Sequence, residues 1–451
     1  MGFTHSIAQW ILNIGYHDFS EDVKQSANRC ILDTIGVALA GSRAEVSGIV
    51  REYVLHESCV GKSLIWGSGV RTSPGLAALA NGAMAHALDL DETNYSSIAH
   101  PSAVVIPAAL AIGEALNATG KDFLTSFIVG YEVTCKLGRA VNPTAYEKGW
   151  WTTSALGTIG AAAAVARLLG LSQKQTEWAL GLAIGQASGV RANNGTLAKP
   201  FQAGRAAQNG VLSAQLAQKG LTASSMAFEK PAGFFDVCVD GNYKDVAEVL
   251  GHPFDLVDPG VSFKQYPSCS ASHAAVDALL GMISEYELSW KEIASVTCEV
   301  TPLVNISLVY DSPTTPDEAR FSMPFCIAAA IKEKQLLPSC FTQDYLRDSV
   351  IRELMKKVTM KVAGEAISLK GPEAAKVTVE TTEKQIFSRT VQHARGGTQD
   401  PLSEDELFVK FQRCAEYVLK GRRIDAIKEA VLGIESLTNI SELARLLATE
   451  G

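Results

Sequence analysis

The residues best suited to chemistry are concentrated in one short stretch, HALDLDETNYSSIAHPS, at positions 86–102. It combines carboxylates, hydroxyls and two histidines between long Ala-rich apolar runs. His100 precedes Pro101, which favours an extended backbone at the start of the next helix. An aspartate near an imidazole fixes its tautomer and raises its pKa, the usual arrangement of a general acid or base. We therefore interpret Asp89, Thr93 and His100 as parts of an active site.

Two other interpretations of the DLDET segment stay open at this point. A solvated acidic helix end is common, and carboxylates spaced one residue apart can bind Mg²⁺. The cysteines form no triad suited to an iron–sulfur cluster, and no HExxH, GxSxG, Walker or GxGxxG motif occurs in a suitable context. We favour acid–base chemistry over a metal site.

A second polar stretch, GVRANNGTLAKPFQAGRAAQNG at positions 189–210, contains a lysine among apolar neighbours. Lys199 is predicted to lie in a loop that leads into a helix beginning at about Phe201. Burial between helices would lower its pKa and make it a base or acid; the alternative is a surface lysine. Arg191 and Asn194 belong to a donor-rich segment suited to an anion.

Two further candidates, Lys264 and Tyr266, occur in SFKQYPS, where the residue pattern changes from helical periodicity to a mixture of helix and strand signals. Residues 1 to about 262 have helical periodicity, with helix-capping signals at Ser20 and in the Ser172–Gln175 capping box. The patterns that follow predict strands at 295–309 and 358–364, two strands joined at TEKQ within 376–391, helices at 272–286 and 323–333, and a final helix after a Ser403–Glu406 capping box. This indicates a second, α+β domain with helices against an antiparallel sheet, and clefts between domains commonly hold small molecules.

The composition excludes several classes of function. A chain of 451 residues with 47% hydrophobic and 20% charged residues is typical of a globular protein of two domains. A net charge of -8 without basic clusters argues against nucleic acid. Nine scattered cysteines without a CxxC pair favour a reducing cytosol. The apolar runs are too short for a membrane span, so we expect a cytoplasmic protein.

Six blocks together resemble the MmgE/PrpD family over essentially the whole chain: HALDLDET…HPS, SALGTIGAAAAVARLLGLS, GTLAKPFQAGRAAQNG, FKQYPSCSASH, EARFSMP and DPLSEDEL. The resemblance implies a mainly α fold, with a large all-helical domain (1–265 with 395–451) and a smaller α+β lid domain (266–394). It also implies a homodimer, a small di- or tricarboxylate substrate, and no required metal or organic cofactor. The family's site residues correspond to Asp89, Thr93, His100, Lys199 and Lys264.

Three departures from the family pattern bear on the reaction. Trp151 stands where decarboxylase and dehydratase relatives carry a histidine, Pro324 stands where they often have a tyrosine, and Gln202 replaces a common histidine. These losses weaken the case for eliminating water or carbon dioxide. What remains would serve proton transfer at a carbon next to a carboxylate, with Tyr146 as the group that replaces the lost imidazole.

The sequence therefore predicts an epimerase that inverts a carboxylate-bearing carbon of an iminodisuccinate-like dicarboxylate. Lys199 and Tyr146 would act from opposite faces, while His100 and Asp89 position the carboxylate or assist. The alternatives are a hydro-lyase of the 2-methylcitrate dehydratase type, a decarboxylase of the cis-aconitate type, and an inactive carboxylate-binding protein.

Overall fold

The computed structural model describes residues 2–57 and 60–449. Helices dominate the first half of the chain: α1 (Phe3–Asn13), α2 (Glu21–Gly41), α3 (Glu45–His56), α4 (Pro74–His86), α5 (Pro101–Leu116), α6 (Gly120–Val141), α7 (Thr144–Glu147), α8 (Thr152–Leu168), α9 (Gln173–Ile184), α10 (Ala198–Gln218) and α11 (Phe234–Val239). A short antiparallel ribbon, β1 (Ser63–Leu64) and β2 (Arg71–Thr72), precedes α4. The prediction of a mainly α protein is confirmed.

Helices α4 and α10 cross at two glycines. A Cβ added to Gly82 would lie 2.8 Å from Cα of Gly204, and one added to Gly204 would lie 2.2 Å from the carbonyl oxygen of Leu79. The two backbones are therefore in direct contact, which only residues without a side chain allow. As a result, the last residue of α4, His86, faces the first turn of α10, which contains Lys199.

The C-terminal helices are α18 (Glu404–Ala415), α19 (Arg422–Leu432) and α20 (Ser441–Leu446). Helix α18 packs on α2, where a Cβ at Gly36 would lie 2.8 Å from the ring of Phe411. Lys410 pairs with Asp33 at 2.6 Å and donates to the carbonyl of Leu90 at 2.8 Å. The end of the chain therefore supports the loop that follows α4.

The stretch between these parts contains both helices and a sheet. Its elements are α12 (His273–Glu285), β3 (Ile293–Val300), α13 (Pro302–Ser307), α14 (Pro316–Ala319), α15 (Met323–Glu333), α16 (Gln343–Arg347), α17 (Ser349–Lys356), β4 (Val358–Val362), β5 (Ala375–Thr381) and β6 (Ile386–Val391). The sheet order is β4-β3-β5-β6. Strands β3, β5 and β6 are antiparallel neighbours, as predicted, but β4 pairs parallel to β3, so the prediction of a purely antiparallel sheet is wrong.

The parallel pair follows from the connection between its strands, because helices α13 to α17 carry the chain back across the sheet. The strand predicted over 295–309 also ends early. Thr301 caps α13, its hydroxyl accepting from the amide of Val304, and Pro302 occupies the first helical turn. A Thr-Pro pair is a helix-start signal, and it overrides the β-branched composition of the residues that follow.

Buried apolar residues form several clusters. The largest draws on residues from Phe19 to Phe263 and again from Leu402 to Leu447, while another contains only residues between Ala271 and Val379. These two clusters support our proposal of a helical domain (1–265 with 395–451) and a lid domain (266–394). None of the helices in the described part of the chain combines the length and apolar character needed to cross a membrane.

The predicted capping signals at Ser20, Ser172 and Ser403 are present, the last two as complete capping boxes. Eight described cysteines are free thiols, while Cys59 lies outside the described residues.

Candidate active site

The predicted residues gather around one cavity. Seven of the nine candidates line it: Asp89, Thr93, His100, Tyr146, Asn194, Lys199 and Lys264. The remaining wall comes partly from the predicted lid segment: Cys269, Ser270, Leu303, Ser307, Phe321 and Glu373. The site therefore lies where the helical part of the chain meets the α+β part.

Lys199 is held by two acceptors. It lies in the first turn of α10, which begins at Ala198, so the predicted loop position is wrong. Pro200 is tolerated there because amides in the first turn need no helical partner. Nζ lies 2.5 Å from Nε2 of His86 and 3.1 Å from Oδ2 of Asp89. Burial lowers the pKa of the Lys199 amine, against the opposing effect of Asp89.

His86 connects Lys199 to a second carboxylate. Its Nδ1 lies 2.8 Å from Oδ2 of Asp91, and both side chains are fully buried. Burial lowers the pKa of His86, although Asp91 acts in the opposite direction, so the ring is neutral near neutral pH. With Nδ1–H donated to Asp91, Nε2 carries a lone pair and accepts from Lys199. The three groups form a chain of carboxylate, imidazole and amine.

Asp89 joins both lysines of the site. Its Oδ1 pairs with Lys264, whose Nζ also lies 3.0 Å from the Asp89 carbonyl oxygen, while Oδ2 faces Lys199. Burial alone would raise the pKa of Asp89, but the two lysines outweigh it and hold this pKa well below its usual range. The residue has a φ of 51°, a left-handed conformation that is uncommon outside glycine. Such strain is typical of functional sites.

His100 is the N-cap of α5, as predicted from His-Pro. Its Nδ1 lies 2.7 Å from the carbonyl oxygen of Glu92, so Nδ1 carries the proton and Nε2 is free to accept. Burial lowers the pKa of His100 to about 3, despite Asp91 nearby. This imidazole is therefore neutral near neutral pH and serves as a hydrogen-bond partner rather than as a cationic acid.

Tyr146 presents a phenol to the cavity. Its hydroxyl lies 3.3 Å from Oγ of Ser307, and burial raises its pKa to about 12. Arg191 does not line the cavity. Its guanidinium lies 4.2 Å from the centre of the Tyr146 ring and donates to the carbonyl oxygens of Tyr146 (2.7 Å) and Ile306 (3.0 Å). The structure thus places Arg191 behind Tyr146 rather than in the cavity.

Tyr266 also lies outside the cavity wall. Its hydroxyl donates to Asp277 at 2.6 Å, and its ring edge packs against His273. Thr93, by contrast, lines the cavity and is fixed by a reciprocal backbone pairing with Ser262, at 2.8 and 3.0 Å. Asn194 is buried, and within the described part of the chain its Oδ1 has no hydrogen-bond partner, so this oxygen could accept a hydrogen bond from a ligand.

Two aromatic rings enclose the Lys199 amine. Nζ lies 5.3 Å from the ring centre of Trp151 and 5.0 Å from that of Phe321. Trp151 also packs against the ring of His86, with 5.2 Å between centres. The rings shield the amine from water, and their faces stabilise the protonated amine by cation–π interaction.

Sequence reasoning missed two groups of residues. His86 and Asp91 belong to the same motif as Asp89, but only the crossing of α4 and α10 reveals that His86 faces Lys199. Glu373 does not belong to any of the motifs identified in the sequence. It enters the cavity wall from the segment before β5 and binds Tyr95 and Ser270.

One group in the site has the composition of a metal site. His86, Asp89 and His100 each offer a ligand atom, and these atoms lie within 4.8 Å of one another. However, Nζ of Lys199 contacts both His86 and Asp89. A cation bound there would have to displace the lysine, so the donor set fits an amine better than a metal.

Comparison with known proteins covers nearly the whole chain. The family model described as the MmgE/PrpD N-terminal domain matches residues 5–247, and the MmgE/PrpD C-terminal domain matches residues 266–435. Cis-aconitate decarboxylase of Homo sapiens is 28% identical over 98% of this chain and 94% of its own length. The enzyme of the same name from Mus musculus is 26% identical (98% and 93%), and that from Aspergillus terreus is 28% identical (99% and 96%).

Proposed function

The chain belongs to the MmgE/PrpD family, and from that premise we propose that it is a lyase of small di- or tricarboxylates, of the decarboxylase or dehydratase type. Lys199 moves the proton at a carbon next to a substrate carboxylate. Similar curated proteins are named as decarboxylases, which supports the alternative in our sequence-based prediction over the epimerase.

The observation that carries this proposal is the environment of Lys199. A lysine nitrogen has three positions besides its bond to Cε, and two of them are taken by donation to His86 and Asp89. The third position is left for the cavity that Lys199 lines. It holds a lone pair when the amine is neutral and a proton when it is charged, so the same atom serves as base or acid.

The cavity also contains a cationic group that can stabilise the negative charge that develops on the substrate. Proton removal next to a carboxylate builds a dianion, which needs cations and donors fixed in place beforehand. Lys264 lies in the cavity wall, and the pair of acidic residues around it, Asp89 and Asp91, outweighs the effect of burial and raises its pKa. A permanently charged amine there would hold the reacting carboxylate.

Tyr146 favours a lyase over an epimerase. A lyase needs one group that gives up a proton, either to the leaving hydroxyl or to the carbon that loses carbon dioxide. An epimerase that works in both directions needs a second group that also accepts one. Since burial raises the Tyr146 pKa to about 12, its phenol keeps its proton near neutral pH and acts as a donor.

Epimerisation is the second candidate, because of Trp151. This residue occupies the place where a histidine is expected in decarboxylases and dehydratases, and its ring packs on His86 and near Lys199. Without that imidazole, a lyase depends on Tyr146 alone as the donor. A racemising exchange between Lys199 and Tyr146 would need only the groups that are present.

One experiment separates these reactions. The protein is incubated in D₂O with cis-aconitate, 2-methylcitrate and iminodisuccinate in turn. Proton NMR follows the α-protons and vinyl signals, and released carbon dioxide is measured in parallel. Loss of water or carbon dioxide supports the lyase. Conversion between stereoisomers, without either loss, overturns it in favour of the epimerase.

Binding of these acids without any turnover would point to an inactive carboxylate-binding protein. The homodimer and the cytoplasmic location stay predictions, to be tested by light scattering and cell fractionation.

A further inference from the structure

Glu373 lies where the helical part of the chain meets the predicted lid. Its Oε2 accepts from the hydroxyl of Tyr95 at 2.5 Å, and its Oε1 accepts from Oγ of Ser270 at 2.9 Å. These partners come from the loop after α4 and from the start of the predicted lid. The carboxyl group is thus fixed in the cavity wall by both parts of the chain.

A second chamber adjoins the reaction cavity at this point. The two spaces share five wall residues: Thr93, Tyr95, Lys264, Ser270 and Glu373. Lys199 and Tyr146 line only the reaction cavity. A ligand that extends from Lys199 towards the second chamber therefore passes Glu373.

The charges in this wall do not favour a polyanion. Asp89 contacts both lysines, so a single carboxylate already offsets one of the two ammonium groups. An ionised Glu373 offsets the other. The titratable and charged groups that act on Glu373 come from both parts of the fold: Lys264, Asp89, Tyr95, Cys269 and Tyr146. Burial raises the Glu373 pKa, while the hydrogen bonds from Tyr95 and Ser270 act in the opposite direction.

We propose that Glu373 determines which polycarboxylates the site accepts, because it takes up one proton from solvent when a tricarboxylate binds at this boundary. The inference rests on the proposed function, in that it assumes a carboxylate ligand in the reaction cavity. A dicarboxylate held between the lysines binds without this step. A tricarboxylate places a further anionic group beside Glu373, and the carboxyl becomes neutral and donates to it.

The test uses tricarballylate, a saturated tricarboxylate without a leaving group, and succinate as the dicarboxylate. Isothermal titration calorimetry in buffers of different ionisation enthalpy gives the number of protons taken up. The measurements are made at mildly alkaline pH, where both ligands are already ionised. The wild-type protein should take up close to one proton with tricarballylate and none with succinate.

The Glu373→Gln variant isolates the carboxyl, because an amide keeps partners for Tyr95 and Ser270 but cannot ionise. Proton uptake should disappear in it. Because an ionised Glu373 must be protonated before a tricarboxylate binds, wild-type affinity should fall as pH rises, by up to about tenfold per pH unit, whereas that of the variant should not, so the variant should bind tricarballylate more tightly than the wild type by a factor that grows with pH. Glu380→Gln, a change at a half-exposed carboxylate paired with Lys384, should behave like the wild type.

The outcomes are distinct. Uptake that survives in Glu373→Gln comes from another group, above all Lys199, and overturns this inference. Equal affinities of the wild type and Glu373→Gln for tricarballylate also overturn it. If the wild type binds none of the polycarboxylates, the proposed function itself fails, and this inference fails with it.

Discussion

Nζ of Lys199 lies 2.5 Å from Nε2 of His86, although 113 residues separate them in the sequence. The crossing of α4 and α10 at Gly82 and Gly204 brings them together, and Asp91 orients the imidazole between them. A carboxylate that fixes a histidine tautomer is common beside a nucleophile or base. Here, the imidazole that Asp91 orients contacts an amine, the side chain of Lys199.

Replacing Lys199 by Met should abolish turnover, because the group that accepts or returns the proton is removed while the side chain keeps a similar length. A well-placed base contributes about 10²- to 10⁴-fold in rate, and the loss should be at least of this size. Deuterium incorporation at the α-carbon is the measurement. Lys148→Met, at a partly exposed lysine paired with Asp240, is the control. A Lys199→Met variant that still exchanges its α-proton at half the wild-type rate would exclude Lys199 as the base.

Asp91→Asn should lower kcat by about 10²- to 10⁴-fold with little change in KM. An amide can present N–H to Nδ1 of His86, which moves the imidazole proton to Nε2. Nε2 would then face Lys199 as a donor instead of an acceptor. The pH–rate profile should shift as well, because Lys199 loses its acceptor. Asp258→Asn, an exposed change, should leave the profile unchanged. An unaltered profile in Asp91→Asn would show that Asp91 has no part in orienting His86.

Tyr146→Phe should reduce lyase turnover about tenfold to a hundredfold and leave deuterium exchange at the α-carbon intact, because Lys199 is still present. If the enzyme is an epimerase, the same variant should exchange deuterium into one stereoisomer without forming the other. Tyr53→Phe, at an exposed tyrosine, is the control. Wild-type turnover in Tyr146→Phe would exclude the Tyr146 phenol as the second proton-transfer group.

Glu92→Gln should stabilise the protein at alkaline pH relative to the wild type. Glu92 is buried, its Oε2 has no hydrogen-bond partner among the residues that the structure describes, and burial raises its pKa to about 8. An unfolded glutamate ionises above about pH 4.3. Between these values the folded state binds more protons than the unfolded state, so the free energy of unfolding decreases as pH rises through this window.

The variant lacks this dependence. The melting temperature of Glu92→Gln minus that of the wild type should therefore increase by several degrees between about pH 5 and about pH 8. Glu21→Gln, at an exposed glutamate, should show no such trend. A difference that stays constant with pH would mean that Glu92 is ionised in the folded protein.

Local signals predicted much of the helical architecture, since a cap depends on residues that are close in sequence. Ser172 with Gln175 and Ser403 with Glu406 are examples. The β5–β6 hairpin was predictable for the same reason. The parallel pairing of β4 was not, because it depends on where a long helical connection returns the chain.

Some residues of the candidate site were also predictable from the sequence, whereas others were not. Asp89 and His100 share one motif, and Lys199 stands out because it is a lysine among apolar residues. Arg191 looked like an anion ligand from its donor-rich neighbourhood, but a guanidinium can equally bind carbonyl oxygens, and the sequence does not distinguish the two. His86 belongs to the same motif, but its contact with Lys199 could not be predicted, because Lys199 lies on another helix.

The origin of the cavity wall along the chain also matters for engineering. Asp89, Asp91, His86, Lys199 and Lys264 all precede residue 266, whereas Cys269, Leu303, Ser307, Phe321 and Glu373 come from the stretch after it. A library that randomises only Cys269, Leu303 and Phe321 would vary the shape presented to the substrate and leave Lys199, its partners and Glu373 unchanged. We therefore expect that the substrate range of this scaffold can be varied through the later segment without replacing the residues proposed for proton transfer.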